Sequence, residues 1–173
     1  MRIVTTLLFV STAAFCPVAA QTPTDSARPT PKHPLTNSYA LVKRQLLAAA
    51  DSMNADGYSA RLAPEVRSFA EIVGHVIETN FGVCAGARKE TNPKKGEKFD
   101  VVVTAKATLV PLLKESFTYC DVPMTQLDPA TSGGTDATFL VYHTAQMVVL
   151  ADLYLASRGT NVANSEALRT KGR

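Results

Sequence analysis

The sequence predicts an all-α protein built as an antiparallel four-helix bundle. Three observations favour this fold. Apolar residues recur at intervals of three and four in four separate stretches, capping or helix-breaking residues bound these stretches, and none of them alternates as a strand does. Such helices are amphipathic, and they bury their apolar faces by packing against one another around a shared core.

The first two helices have clear boundaries. The first is expected from Leu35 to the turn at Asp56–Gly57. The second begins at a capping box, in which the Ser68 hydroxyl and the Glu71 carboxylate each accept a free backbone N–H, and it continues to about Arg88. Three glycines reduce its helix propensity, so we interpret them as points of close packing. These glycines are Gly74, Gly82 and Gly86.

The last two helices are interrupted or flanked by proline and glycine. The third is expected over residues 104–121, with Thr104 as N-cap and a kink at Pro111. The fourth is expected from residue 135 or 136 to residue 157, with Gly159 as its C-cap. Residues 101–103 have the composition of a short strand, but three residues cannot build a sheet alone.

Residues 1–20 have the features of a secretory signal peptide. Arg2 precedes an apolar run, and small residues ending at Ala20 form a cleavage site. The run is shorter than the roughly 20 apolar residues that span a bilayer. The alternatives are an uncleaved anchor and a lipoprotein acylated at Cys16, for which Phe15 is too bulky. We therefore expect an exported protein, periplasmic or secreted, without stable membrane insertion after cleavage.

The remainder of the chain divides into three parts. Residues 21–34 are rich in proline and are expected to form a flexible leader in which His33 is exposed to solvent. The bundle is expected over residues 35–166, and residues 167–173 form a C-terminal tail. The formal net charge is only +3, from 18 basic and 15 acidic residues, so the composition does not indicate a nucleic-acid partner.

Export changes the meaning of the cysteine count. The chain has three cysteines, and removing Cys16 with the signal peptide leaves Cys84 and Cys120. In an oxidising compartment this even pair is a candidate disulfide. The alternative is a pair of buried thiols, because free cysteine packs as a small apolar residue.

Two histidines fall within predicted helices, His75 in the second and His143 on the apolar seam of the fourth. Side chains on facing helices of a bundle can converge into a cofactor or metal site. The alternative is a buried histidine that bonds a hydroxyl or a carbonyl group. Spacing alone favours this alternative over a metal ligand.

Three segments resemble the DinB-like superfamily, and more narrowly its exported bacterial members. They are Ser68–Val76, Leu112–Asp121 and Leu153–Gly159, and the resemblance covers roughly residues 35–166. It implies an up-down-down-up bundle with a pocket for a small molecule, often assembled as a homodimer. Because this topology makes helices two and three parallel, it also allows a disulfide between Cys84 and Cys120.

The resemblance further implies a divalent metal held by one histidine on helix two and two histidines, four residues apart, on helix four. His75 and His143 match two of these ligands, whereas the third position is Met147. Three imidazoles would suit Zn, Ni or Fe, but a thioether suits Cu(I) instead. Glu71 or Glu78 could supply a replacement carboxylate, although Glu78 is expected to face solvent.

These observations favour a binding or structural module with a degenerate metal site over an enzyme. The alternative is a divalent-metal-dependent enzyme, a thiol S-transferase or a hydrolase-like protein, that uses His75 and His143. We expect no required cofactor under the first interpretation, and a Zn, Ni or Fe ion under the second. Cu(I) is a further option for the same ligands.

Overall fold

The computed structural model describes residues 33–102, 105–128, 130 and 134–159. The predicted signal peptide, nearly all of the predicted leader and the predicted C-terminal tail lie outside these residues. All regular secondary structure in the described residues is helical, with no strand among them, which confirms the all-α class. Its helices are α1 (Pro34–Ser52), α2 (Phe69–Arg88), α3 (Lys106–Thr125) and α4 (Gly134–Ser157), with a 3-10 helix at Asp56–Ser59.

The helices pack so that α1 and α2 each contact both α3 and α4. Helix α1 runs antiparallel to α3: the Tyr39 hydroxyl, near the start of α1, donates to Asp121 near the end of α3. At the other end of this pair, the Lys106 ammonium donates to the carbonyl of Asp51. The antiparallel packing predicted from the helix pattern is therefore correct for this pair.

Helices α2 and α3 are parallel instead. Asn80 donates to Ser116 at 3.0 Å, and one turn further along both helices Cys84 faces Cys120, with their Cα atoms 5.3 Å apart. Helix α4 is antiparallel to α2, since Phe69 at the start of α2 packs against Tyr154 near the end of α4. The order is up-down-down-up, as the family resemblance implies, and a purely antiparallel bundle is wrong for α2 and α3.

An aromatic cluster packs the connection between α1 and α2 against the core. The ring of Phe69 lies 5.0 Å from that of Tyr58 and 5.9 Å from that of Tyr154, in edge-to-face arrangements. Both tyrosine hydroxyls donate to backbone carbonyls, Tyr58 to Ala50 and Tyr154 to Arg67. Burial raises the pKa of Tyr58 because the phenolate would lose its hydration.

Helix ends follow local signals where these are strong. The capping box at the start of α2 is confirmed, with Ser68 and Glu71 accepting each other's backbone N–H. Helix α3 begins at Lys106, with Ala105 as its N-cap, and continues to Thr125 rather than 121. It passes through Pro123, which cannot donate a helical hydrogen bond, and the next residue, Met124, is buried in the core.

Two smaller expectations come out differently. Val101 and Val102 lie in an exposed turn and form no strand, while residues 103 and 104 lie outside the described part. His33 is 4% exposed, so the prediction that it faces solvent is wrong. Its Nδ1 accepts the N–H of Leu35 at 3.1 Å and caps α1 ahead of Pro34, which begins the helix.

Helix α4 has apolar residues on two faces. Its buried face belongs to the core, but four large apolar side chains on another face are between 47% and 63% exposed. These are Phe139, Tyr142, Val149 and Leu153. By length and composition alone α4 meets the criterion for a membrane-spanning helix, a criterion that core helices of soluble proteins also meet.

Candidate functional site

The imidazole rings of His75 and His143 meet between α2 and α4. Their Nε2 atoms are 3.1 Å apart, their ring centroids are 5.0 Å apart, and the ring planes are inclined by 66°. His143 is buried and His75 is half-buried. The two histidines singled out from the sequence therefore lie side by side, because antiparallel packing brings the first half of α2 against the middle of α4.

The uncharged form is favoured in both rings of the pair. A hydrogen bond between two Nε2 atoms needs one protonated and one unprotonated nitrogen, so at most one of the two rings can be an imidazolium. Burial lowers the pKa of both rings, and the charge of Arg67 lowers both further. The ring of Phe139 stacks on His143, with the centroids 5.5 Å apart, and covers part of it.

One nitrogen of the pair is left unsatisfied. His143 Nδ1 is buried and has no hydrogen-bond partner among the described residues, and the same is true of the adjacent Thr144 hydroxyl. A buried polar atom without a partner costs about 1–3 kcal/mol. The alternative of a buried histidine fully satisfied by a hydroxyl or carbonyl group therefore does not describe His143.

The third ligand position does not complete a divalent site. Met147 lies one turn after His143 on α4, is half-buried and packs against the core. Within the described ranges, no three His, Cys, Asp or Glu side chains group together so that they could hold a metal ion. The residues present therefore do not fit a three-histidine centre.

The Glu71 side chain forms hydrogen bonds at the start of its own helix. Its carboxylate accepts the Ser68 N–H at 2.6 Å and pairs with the guanidinium of Arg61. The backbone hydrogen bond and the Arg61 charge together lower the pKa of Glu71. It is therefore not available to replace the missing imidazole.

The Glu78 side chain binds the segment that follows α2. Its carboxylate accepts the backbone N–H groups of Phe99 at 2.6 Å and Asp100 at 3.2 Å, and Lys98 lies 3.6 Å from it. Burial tends to raise the pKa of Glu78, but these hydrogen bonds outweigh it and the pKa falls. The expectation that Glu78 faces solvent is wrong, because the sequence does not reveal that residues 99 and 100 fold back onto α2.

Gly74 makes this close approach feasible. A Cβ added there would overlap the Phe99 carbonyl group and lie 2.6 Å from the Asp100 nitrogen. The segment thus rests on α2 directly beside His75, and close packing at Gly74 is confirmed. It is wrong for Gly82 and Gly86, where an added Cβ would meet nothing within 4 Å.

The fold and the site can now be compared with known families. The sequence model of the DinB superfamily matches residues 39–151, from the first turns of α1 to the second half of α4. This chain belongs to the DinB superfamily. The match includes both histidines, Met147 and both cysteines. No curated protein and no solved structure matches the chain.

The cysteines of this DinB-superfamily bundle are adjacent in space. The sulfur atoms of Cys84 and Cys120 lie at disulfide-bonding distance, and both residues are buried. The bond would join α2 to α3 across a sequence separation of 36. Parallel helices bring the two ends to the same pole, as the resemblance implies.

The DinB-type bundle also has a cleft of about 590 Å³ at the pole where α2 and α3 end and α4 begins. Its walls are mainly apolar, with Arg88 and Asp136 as the charged residues, and neither His75 nor His143 lines it. Arg88 is itself paired with Glu90 and lies 4.5 Å from the ring of Tyr119. Sequence reasoning missed this cleft because its shape depends on how three helix ends diverge.

Proposed function

We propose that this chain is an exported binding module of the DinB superfamily whose divalent-metal centre is degenerate and supports no metal-dependent catalysis. The observation that carries the proposal is the pairing of His75 with His143 at 3.1 Å while the third ligand position holds Met147. The two ligand nitrogens that remain serve as each other's hydrogen-bond partners.

The chemistry of the donor set supports this view. Catalytic zinc sites use three protein ligands and keep an open position for water or substrate. Two imidazoles provide only part of that set, and the nearby carboxylates of Glu71 and Glu78 bind backbone N–H groups. The charge of Arg67 opposes a cation at both rings, while Asp100 and Glu78 act in the opposite direction at His75, so the donor set rather than the local charge disfavours a divalent ion.

Metal analysis of the mature protein, purified without chelators, tests the proposal. We expect well under one equivalent of Zn, Ni or Fe in the wild type. Met147→His should raise Zn²⁺ affinity at least about tenfold, which is about 1.4 kcal/mol. Ala156→His is the control, since it adds an imidazole at an exposed position near the end of α4, thirteen residues after His143, and should leave the affinity unchanged.

One result would reverse the conclusion. If the wild type carries one equivalent of a divalent metal and His143→Ala removes it, the alternative holds. The degenerate-centre proposal would then fail in favour of the family's metal-dependent type, a thiol S-transferase or hydrolase-like protein that uses His75 and His143. The observation that favours this alternative is the convergence of the two rings.

The cleft at the helix ends is the proposed binding site for a small, mainly apolar molecule. Ala87 lines it and is exposed, so Ala87→Trp should fill the cleft and weaken the binding of an apolar fluorescent probe. Ala107→Trp on the exposed side of α3 is the control for an added indole. Equal probe binding by the two variants would argue against the cleft.

A further inference from the structure

The Nε2 atoms of His75 and His143 are separated by the distance expected for two ligands of one metal ion. Metal–imidazole bonds are about 2.0–2.1 Å long, so two of them enclosing about 100° place their nitrogens about 3.1 Å apart. The Nε2 atoms of His75 and His143 are 3.1 Å apart. An ion could therefore replace their shared hydrogen bond with little movement of α2 or α4.

Met147 offers the third donor. It follows His143 by four residues on α4, and residues with this spacing are neighbours on one face of a helix. Its side chain is half-buried and packs against the core rather than extending into solvent. A thioether is a soft ligand that selects Cu(I), whereas imidazole accepts both soft and borderline ions.

The three neutral donors favour an ion of low charge. All three donors are neutral, so a bound ion keeps its full charge at a partly buried position, and the cost of burying an ion grows with the square of its charge. Arg67 acts on both rings, while Asp100 and Glu78 act on His75 in the opposite direction. Glu78 is bonded to the backbone of Phe99 and Asp100, and among the described residues no carboxylate joins the two histidines as a third ligand.

We propose that His75 Nε2, His143 Nε2 and the Met147 sulfur together bind one monovalent soft metal ion, Cu(I). This inference rests on the proposed function, because it requires that no divalent ion occupies the two histidines. The ion displaces the hydrogen bond between the rings, and the proton on the donating Nε2 moves to Nδ1 of the same ring. No proton is released and no electron is transferred.

Methionine-methyl NMR with Ag(I), a redox-inert soft ion, gives the sharpest test. Removal of residues 1–20 leaves three methionines, Met53, Met124 and Met147. In thiol-free and chloride-free buffer, one equivalent of Ag(I) should shift the methyl signal of Met147 and leave the other two unchanged. Met147→Leu assigns this signal and preserves the shape of the side chain.

Affinities measured by competition with a chromophoric Cu(I) chelator complete the experiment. We expect Met147→Leu to weaken Cu(I) binding at least about tenfold, or about 1.4 kcal/mol. His143→Gln should abolish stoichiometric binding. Met124→Leu is the matched control, because Met124 is a buried methionine on α3, and it should leave the affinity unchanged. Far-UV circular dichroism verifies that each variant is folded.

The outcomes separate this inference from the proposed function. If Ag(I) leaves the Met147 signal in place, or if Met147→Leu binds Cu(I) as tightly as the wild type, the soft-metal site is wrong and the degenerate-centre proposal stands. If Zn²⁺ binds in one equivalent through the histidines, the proposed function itself fails. Ag(I) binding that persists in His143→Gln and disappears after alkylation of Cys84 and Cys120 would assign the ion to free thiols and overturn the site.

Discussion

Replacing Gly74 with alanine tests how the segment between α2 and α3 is held beside the histidine pair. The new Cβ would overlap the Phe99 carbonyl group and lie 2.6 Å from the Asp100 nitrogen. These are backbone atoms, so no side-chain rotation can relieve the overlap. The segment must therefore move away from α2.

The expected loss of stability follows from what holds the segment. Phe99 is 5% exposed, and the Glu78 carboxylate accepts two of the segment's N–H groups at 2.6 and 3.2 Å. Overpacking destabilises the folded state by about 1–3 kcal/mol, and strain in these hydrogen bonds destabilises it further. The higher helix propensity of alanine stabilises it by about 1 kcal/mol. We expect Gly74→Ala to lower the free energy of unfolding by about 1–2 kcal/mol.

Gly82→Ala is the matched control on the same helix. An added Cβ there meets nothing within 4 Å, so the propensity gain is not offset and the free energy of unfolding should rise by about 0.5–1 kcal/mol. Urea unfolding of the wild type and both variants, followed by circular dichroism, measures the difference. Equal stability of Gly74→Ala and Gly82→Ala would refute the close packing of the segment on α2.

Three further perturbations have defined outcomes. Replacing both Cys84 and Cys120 with alanine should lower the free energy of unfolding by about 3–4 kcal/mol, because the closed loop restricts the unfolded chain. Glu71→Gln should cost about 0.5–1 kcal/mol at neutral pH, because glutamine can keep the capping-box hydrogen bond but loses the charge that pairs with Arg61 and with the N-terminal end of α2. Introducing lysine at both Val149 and Leu153 should convert the expected homodimer to a monomer, because these exposed apolar residues would form a self-complementary face for a second copy of the chain. Light scattering during gel filtration measures the change in mass.

Each of these outcomes can be contradicted. Two free thiols per denatured, unreduced mature protein would reject the disulfide, and a monomeric wild type would reject the homodimer. The pKa of Glu71 is lower in the folded state than in the unfolded state. The stability that its carboxylate contributes is therefore complete above the unfolded value of 4.5, and it is lost as the pH falls through the lower folded pKa. A wild-type advantage over Glu71→Gln that persisted in strong acid would contradict this account.

The sequence predicted well what depends on neighbouring residues. The capping box of Ser68 and Glu71 and the end of α2 at Arg88 were predictable because the groups concerned lie within one turn of the helix boundary. The direction of α3 relative to α2 was not, since helical periodicity carries no information on direction. Only the family resemblance indicated that the two helices are parallel.

The errors have two physical causes. One is contact with residues distant in the sequence, and the other is local geometry that composition does not reveal. Glu78 was expected to face solvent because its partners, Phe99 and Asp100, follow more than twenty positions later. His33 was expected to be exposed because proline-rich composition describes the stiffness of a chain and does not show that one ring caps a helix. The positions of His75 and His143 were recognisable, whereas the unsatisfied Nδ1 of His143 depends on the final packing.

The parallel arrangement of α2 and α3 has a consequence for how the chain folds. Antiparallel helices joined by a short turn can associate progressively outward from the turn, but here the chain must first travel back along the roughly 30 Å length of a 20-residue helix. The contacts between Asn80 and Ser116 and between Cys84 and Cys120 each span a sequence separation of 36, so the two helices associate through non-local contacts. We expect the association of α2 with α3 to be the slow step, and oxidation of the two cysteines to occur only after it.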